Sequence, residues 1–120
     1  MATILVVDDD RVFRELLVTV LELEGYEAVA VTTPEEIVAT VRREEPALIF
    51  MDVHIGNRDT LGALQELRRD DALSDIPVIM TSGMDRGQEC MDAGAEVFMF
   101  KPFRPSEMME RIKELTQADT

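Results

Sequence analysis

Ile4-Leu5-Val6-Val7-Asp8-Asp9-Asp10 decides the fold, because four consecutive apolar residues run straight into three carboxylates. An unbroken apolar run bounded by polar residues reads as a strand buried on both faces, the pattern of a parallel sheet covered by helices. Working outward, similar runs recur at 27–31, 47–51, 77–81 and 96–100, and with 3–7 they make five candidate parallel strands. The stretches between them carry helical spacing: Val12, Phe13, Leu16, Leu17, Val20 and Leu21 after the first, Ile37, Val38 and Val41 after the second. Leu61, Leu64 and Leu67 follow the third run, and Met108, Met109, Ile112 and Leu115 follow the fifth. The alternation is an α/β chain of the (βα)5 kind.

Punctuation supports these limits. Gly25 ends the first helix, Pro34 suits the first turn of the second, Pro46 and Pro77 precede strands, and Pro105 opens the last helix. From Gly83 to Asp92 only Met84, Cys90 and Met91 are apolar, and Gly83 and Gly87 interrupt the stretch, so its helix is expected to be short and to end before Gly94. Thr116 to Thr120 reads as a tail.

With 120 residues and 46% apolar content the chain suffices for one domain around one core. A formal charge of −13 argues against direct nucleic-acid binding, since no Lys/Arg cluster stands clear of acidic neighbours to grip phosphates. Divalent cations or basic partner surfaces fit better. Cys90 is the only cysteine, so no internal disulfide forms, and the natural expectation is a reducing cytoplasm. The start lacks a basic leader and no apolar run approaches the roughly 20 residues of a membrane helix, so neither export nor a membrane partner is expected.

Each polar group of interest closes a candidate strand: Asp8-Asp9-Asp10 the first, Asp52 the third, Ser82 the fourth and Lys101-Pro102 the fifth. Open parallel sheets place their ligand sites at these carboxyl ends. An isolated Asp or Ser there is ordinarily a helix cap, but a cap at four strand ends does not explain the lysine. At ~4 Å and an effective dielectric of ~20, each like-charge carboxylate pair costs on the order of 4 kcal/mol, so Asp8, Asp9 and Asp52 need a cation, a proton or Lys101. Mg²⁺ suits such an oxygen set together with a phosphate oxygen. An aspartate beside it can attack a phosphoryl group to give an acyl phosphate, with lysine and metal neutralising the developing charge and a hydroxyl such as Ser82 donating to a phosphoryl oxygen.

On these residues the chain resembles the receiver domains of two-component response regulators over essentially its whole length, 1–120. The resemblance implies a flavodoxin-like three-layer (βα)5 fold with strand order 2-1-3-4-5, and a phosphoacceptor switch that assists its own phosphorylation and dephosphorylation without being a turnover enzyme. It assigns metal binding to Asp8, Asp9, Asp52 and the backbone carbonyl of His54, and phosphoacceptance to Asp52. Lys101 takes the place of the family's lysine, Ser82 of its switch hydroxyl, Phe98 of its switch aromatic, and the Gly83 amide that of a phosphoryl contact. The implied partners are a sensor histidine kinase or histidine phosphotransfer protein and a downstream effector protein or domain, with output through the fourth helix, fifth strand and fifth helix.

Departures from the pattern accompany the resemblance. Gly56 stands where a proline is usual and Thr60 where a glycine is, so the loop after Asp52 is expected to be differently shaped or more mobile. The stretch from Ser82 to Lys101 is about one helical turn shorter than in chemotaxis-type receivers. His54, the sole histidine, either influences water access to the acceptor or lies in solvent, while Arg58 and Asp59 read as solvated charges. Met84, Met91, Met99, Met108 and Met109 are core or line a contact face. Two other readings remain open: a receiver-fold interaction module without phosphotransfer, and a haloacid-dehalogenase-type phosphatase with Asp8 as nucleophile and Asp10 as acid/base, which leaves Asp52 without a role.

Overall fold

The structure is a computed structural model that describes residues 2–116. Five parallel strands form the central sheet: β1 (Thr3–Val7), β2 (Glu27–Val31), β3 (Leu48–Asp52), β4 (Val78–Ser82) and β5 (Val97–Phe100). They lie in the order β2-β1-β3-β4-β5. Five helices connect and follow them: α1 (Arg11–Leu23), α2 (Ile37–Glu44), α3 (Leu61–Arg69), α4 (Gly87–Ala93) and α5 (Pro105–Thr116). This is the flavodoxin-like (βα)5 fold in the strand order that the resemblance implies. Of the stretch 116–120 read as a tail, Thr116 is instead the last residue of α5, its Oγ1 donating to Ile112 O at 2.8 Å, and 117–120 lie outside the described residues.

Strand periodicity builds the three layers. Leu5, Val7, Ile49, Met51, Val78 and Met80 face Ile37, Val41, Leu64, Leu67, Cys90 and Ala93 of α2, α3 and α4. The alternate residues Ile4, Val6, Leu48, Phe50, Ile79 and Met99 face Leu17, Leu21, Met108, Met109 and Ile112 of α1 and α5. Helices on both faces explain why β3 and β4 are buried at every position and carry no polar alternation. β2 and β5 are edge strands with exposed positions, Glu27 and Phe100 among them.

Three of the expected strands begin one residue late, at Leu48, Val78 and Val97. Pro77 lacks the N–H needed to enter the ladder and contributes only its carbonyl, which accepts from Ile49 N at 2.9 Å. Pro34 opens a single 3₁₀ turn, Pro34–Glu36, ahead of α2 rather than the helix itself. That helix ends on Glu45 in the left-handed region at φ 46°, directly before Pro46. α4 spans seven residues, as short as its composition implies, and Gly94 closes it at φ +112°.

Gly94 also sits beneath Arg68, whose side chain is the main polar pin on the α3/α4 face. Arg68 Nε donates to Gly94 O at 2.8 Å, and Nη1 donates to Ser74 O and Ile76 O at 3.1 and 2.8 Å. Nη2 reaches Glu96 Oε1 at 2.6 Å. One guanidinium thus satisfies carbonyls of the loop before β4 and of the turn before β5. Arg68→Met keeps the stem and removes the fork, so thermal melting should show a loss of about 2–4 kcal/mol. A stability within experimental error of the parent would show that water replaces these bonds at no cost.

Candidate functional site

Parallel strands end at one edge, and β1 and β3 straddle the point where the chain order reverses, β1 leading to β2 on one side and β3 to β4 on the other. Asp8 extends β1 by one residue, its N–H donating to Val31 O at 3.3 Å. It is 1% exposed. Its Oδ1 accepts from Asp10 N at 2.8 Å, which folds the acidic run back on itself, and Arg14 Nη1 donates to its main-chain oxygen at 3.0 Å. Asp10 serves α1 as N-cap, its Oδ1 accepting from Phe13 N at 3.1 Å.

Asp52 is the last residue of β3 and is nearly buried. One carboxylate oxygen accepts from His54 N at 2.9 Å, and the other accepts from Lys101 Nζ at 2.5 Å. Lys101 Nζ also donates to Asp8 Oδ2 at 3.1 Å. The same ammonium lies 4.5 Å from the centroid of the Phe13 ring, a cation–π contact on the α1 side. Its position follows from the backbone: Lys101 N donates to Ser82 O at 2.9 Å, carrying the β4/β5 ladder one step past Phe100. The Lys101–Pro102 peptide is cis.

Electrostatics follow this packing. Burial drives the Asp8 carboxyl above its ordinary range, and the Asp10 amide and Lys101 only partly offset it. Burial alone would lower Lys101, but hydrogen bonds and attraction to Asp52 and Asp8 outweigh it and hold the ammonium above its usual range. The strand ends therefore carry two buried carboxylates converging on one fixed cation.

Not every expected residue joins that cluster. Asp9 is exposed, and its Oδ2 accepts from Gly56 N at 2.5 Å, so its carboxylate is spent on the loop after β3. Among the described residues no three acidic, histidine or cysteine side chains converge as a ready metal cage. Ser82 is fully buried at the end of β4, and its Oγ accepts from Met84 N at 3.0 Å. A Cβ built on Gly83 would meet nothing within 4 Å, so space is open beside that residue. Phe98 is partly buried against the core side that holds Cys90 and Ala93, its ring 3.2 Å from where a Cβ on Gly87 would lie and edge-to-face with Phe100 at 5.2 Å.

The loop after Asp52 is tied down rather than loosened. His54–Ile55 and Arg58–Asp59 pair as a two-residue antiparallel hairpin around Gly56 at φ +64°. Thr60 is wholly buried, and its Oγ1 donates to Asp52 O at 2.8 Å and lies 3.2 Å from Val53 O. A hydroxyl at this position thus clips the loop to the strand end. Arg58 and Asp59 are not merely solvated charges either: Arg58 forks onto Glu35, and Asp59 accepts from Leu61 N at 2.6 Å and from Arg86 at 2.7 Å. Partial burial would raise the Asp59 carboxyl, but the Arg86 and Leu61 hydrogen bonds outweigh it and hold it below the usual range. Neither residue lies in a periodic stretch, and the partners stand 23 and 27 residues away, so no local signal marked them. His54 is likewise engaged, its Nε2 lying 3.0 Å from Arg86 Nη1.

Fold and site together define a flavodoxin-like α/β domain with two carboxylates bridged by a lysine at the carboxyl edge of its parallel sheet. The family model described as response regulator receiver domain matches residues 4–113, and the chain belongs to that family. A receiver domain is a phosphoacceptor of two-component signal transduction, not a turnover enzyme. The probable transcriptional regulator ycf27 of Pyropia yezoensis is 38% identical over 122 residues, covering 97% of this chain and 48% of the relative. The chain spans about half the length of the curated relatives it matches. The signal receiver domain of a signal transduction histidine kinase from Syntrophus aciditrophicus superposes with a TM-score of 0.89 at 26% identity, covering 98% of this chain and 92% of that one. The receiver domain of sensor histidine kinase PA1611 from Pseudomonas aeruginosa, with a magnesium ion coordinated in its active site cleft, is alike in fold at a TM-score of 0.87 and 24% identity, covering 97% and 98%. The phosphatase reading also fails on placement, since Asp10 caps α1 while Asp52 stands at the centre of the cluster.

Because the folded Asp8 carboxyl titrates above its unfolded value, the folded state holds that proton more tightly. Its contribution to stability is complete below pH 3.8 and is lost as pH rises through the raised value. Asp8→Asn should therefore raise the metal-free melting temperature at neutral pH, whereas Asp9→Asn should leave stability within about 0.5 kcal/mol, its oxygen still able to accept from Gly56. Melts at pH 7 in chelator check this, and a drop for Asp8→Asn would show that its bond to Lys101 outweighs its burial. A separate expectation concerns Thr81, which pairs in register with Asp52 and whose buried hydroxyl has no hydrogen-bond partner. Thr81→Val should stabilise the domain by about 1 kcal/mol, read from the denaturant midpoint at unchanged slope.

Proposed function

We propose that Asp52 accepts a phosphoryl group from a phosphohistidine, on a sensor kinase or a phosphotransfer protein, and passes the signal to an effector through the face formed by α4, β5 and α5. The observation that carries this reading is the Lys101 ammonium held at once by Asp8 and Asp52, at 3.1 and 2.5 Å. Two buried carboxylates aimed at one cation form a hard-oxygen set of the kind that Mg²⁺ takes with water and phosphate oxygens. Asp8 and Asp52 would hold the metal, with Asp9 joining them by leaving Gly56 N and the His54 carbonyl completing the protein ligands. When bound, the metal supplies charge neutralisation for the phosphoryl oxygens.

The chain's own residues do the rest. Asp52 attacks phosphorus with the carboxylate oxygen that now accepts from Lys101, the bond from phosphorus to the donor imidazole nitrogen breaks with its electron pair returning to that nitrogen, and Lys101 then neutralises charge on the transferred oxygens. The Ser82 hydroxyl, which accepts from Met84 N, still has a proton to donate to a phosphoryl oxygen. The Gly83 amide adds a second donor in the open space beside it. Drawing Ser82 inward frees room on the α4 side, where the Phe98 ring abuts Gly87 at the first turn of α4. Met84, Met91 and Phe100 stand exposed around that region and offer an apolar surface to a partner. The relatives named as transcriptional regulators, about twice the chain's length, favour an effector of that kind.

Incubation with Mg²⁺ and acetyl phosphate should add one hydroxylamine-labile phosphoryl group to the wild type and none to Asp52→Asn, as intact mass spectrometry would show. An unmodified wild type, or equal labelling of the variant, would overturn the assignment.

A further inference from the structure

Arg86 lies four residues past Ser82, immediately ahead of α4, and takes no part in the phosphoryl chemistry described above. Its side chain is 17% exposed. Nη1 stands 3.0 Å from His54 Nε2, Nη2 donates to Asp59 Oδ2 and Glu89 Oε2 at 2.7 Å each, and Nε donates to Glu89 Oε1 at 3.0 Å. A guanidinium has only donors, so its contact with His54 requires Nε2 to carry the lone pair and Nδ1 the proton. His54 and Asp59 are themselves cross-strand partners in the hairpin. Arg86 therefore grips both strands of the hairpin with one fork.

The topology gives that grip a place. The hairpin leaves the sheet after Asp52 on β3, Arg86 stands on the loop that leaves after Ser82 on β4, and Asp52 faces Thr81 in register between these neighbouring strands. The bridge thus closes the gap between the two loops beside the acceptor. His54 N is already fixed on Asp52 Oδ1, so what Arg86 adds is the orientation of the imidazole. We infer that Arg86 is a positioning residue that straps the His54 ring beside Asp52, restricts the approach of water to a phosphoryl group carried there, and so lengthens the life of the acyl phosphate. This rests on Asp52 being the acceptor. In hydrolysis a water oxygen forms a bond to phosphorus, the bond from phosphorus to the Asp52 oxygen breaks, and the electron pair returns to the carboxylate. The water's protons go to phosphate and solvent, and no further reactant is needed.

The test loads wild type, Arg86→Ala, His54→Ala, the double variant and Arg86→Lys with acetyl phosphate and Mg²⁺, removes the donor, and follows loss of the added mass. Arg86→Ala should lose its phosphoryl group about three- to tenfold faster than wild type, the factor that one net hydrogen bond supports. His54→Ala should behave alike, and the double variant should be no faster than either single one, because both remove the same contact. Arg86→Lys keeps the charge without the fork and should fall between. The rate of labelling of Arg86→Ala should match wild type, which general loosening of the fold would not leave unchanged. Decay of Arg86→Ala at or below the wild-type rate, or effects that multiply in the double variant, overturns the inference alone. A wild type that takes no phosphoryl group at Asp52 overturns the acceptor assignment and this inference with it.

Discussion

One ammonium shared by two buried carboxylates is the constraint around which this domain is arranged. Asp8 and Asp52 stand at the ends of adjacent strands, and at ~4 Å with an effective dielectric of ~20 their repulsion would be on the order of 4 kcal/mol. Lys101 comes from the edge strand, two strands away from β3, and its stem must cross the end of β4 to reach them. That reach requires β4 to place the Ser82 carbonyl where Lys101 N can bond it, and α1 to place the Phe13 ring beside the ammonium. Removing Lys101 would leave two buried carboxylates without a counter-charge, at a cost of about 3–5 kcal/mol. The cluster therefore ties sheet order, helix placement and chemistry together, and the raised Asp8 carboxyl shows that the compensation is incomplete.

Incomplete compensation is what a binding site needs. A carboxylate pair fully satisfied by protein would gain nothing from a metal or a phosphoryl group, whereas one held by a single lysine gains from both. The apolar layers supply the rigidity. Ile4, Val6, Leu48 and Phe50 are fixed from the α1/α5 side and Leu5, Val7, Ile49 and Met51 from the other, so the strand ends cannot spread to relieve the repulsion. Stability stored in the core is thus set against strain at the edge.

Much of this was legible in the sequence because it depends on local pattern. Continuous apolar runs ending in Asp8, Asp52, Ser82 and Lys101 gave the strands, their burial and the shared edge, and the two glycines of the 83–92 stretch with few apolar residues gave the shortness of α4. Three strand starts slipped by one residue, one of them where Pro77 could join the ladder only through its carbonyl. What escaped reading is set by contacts between distant positions. Thr60 looked like a misfit in a loop, yet its hydroxyl finds the carbonyls of Asp52 and Val53 only once β3 and the hairpin fold over one another. Asp9 read as one of three equivalent carboxylates, but its partner Gly56 N lies 47 residues away. Arg86 lay in a stretch noted only for what it lacked.

The manner in which α4 is held follows from that last point. Its seven residues bury only Cys90 and Ala93, too little apolar surface to fix a helix by packing alone. Two arginines hold it instead. Arg68 bonds the Gly94 carbonyl at the carboxyl end, where a cation suits the helix dipole. Arg86 stands at the amino end, where a cation is disfavoured, and is kept there by Glu89 and Asp59. Apolar packing loses contact gradually as an element moves, whereas hydrogen-bonded pins are short-ranged and directional, so a helix held mainly by pins passes between discrete positions. With one pin anchored on the hairpin two residues from Asp52 and Gly87 pressed against Phe98, the proposed signal needs no long relay. A change of one or two charge-assisted bonds at Ser82 and Asp52, at about 1.5–3 kcal/mol each, is comparable to what holds the helix in place.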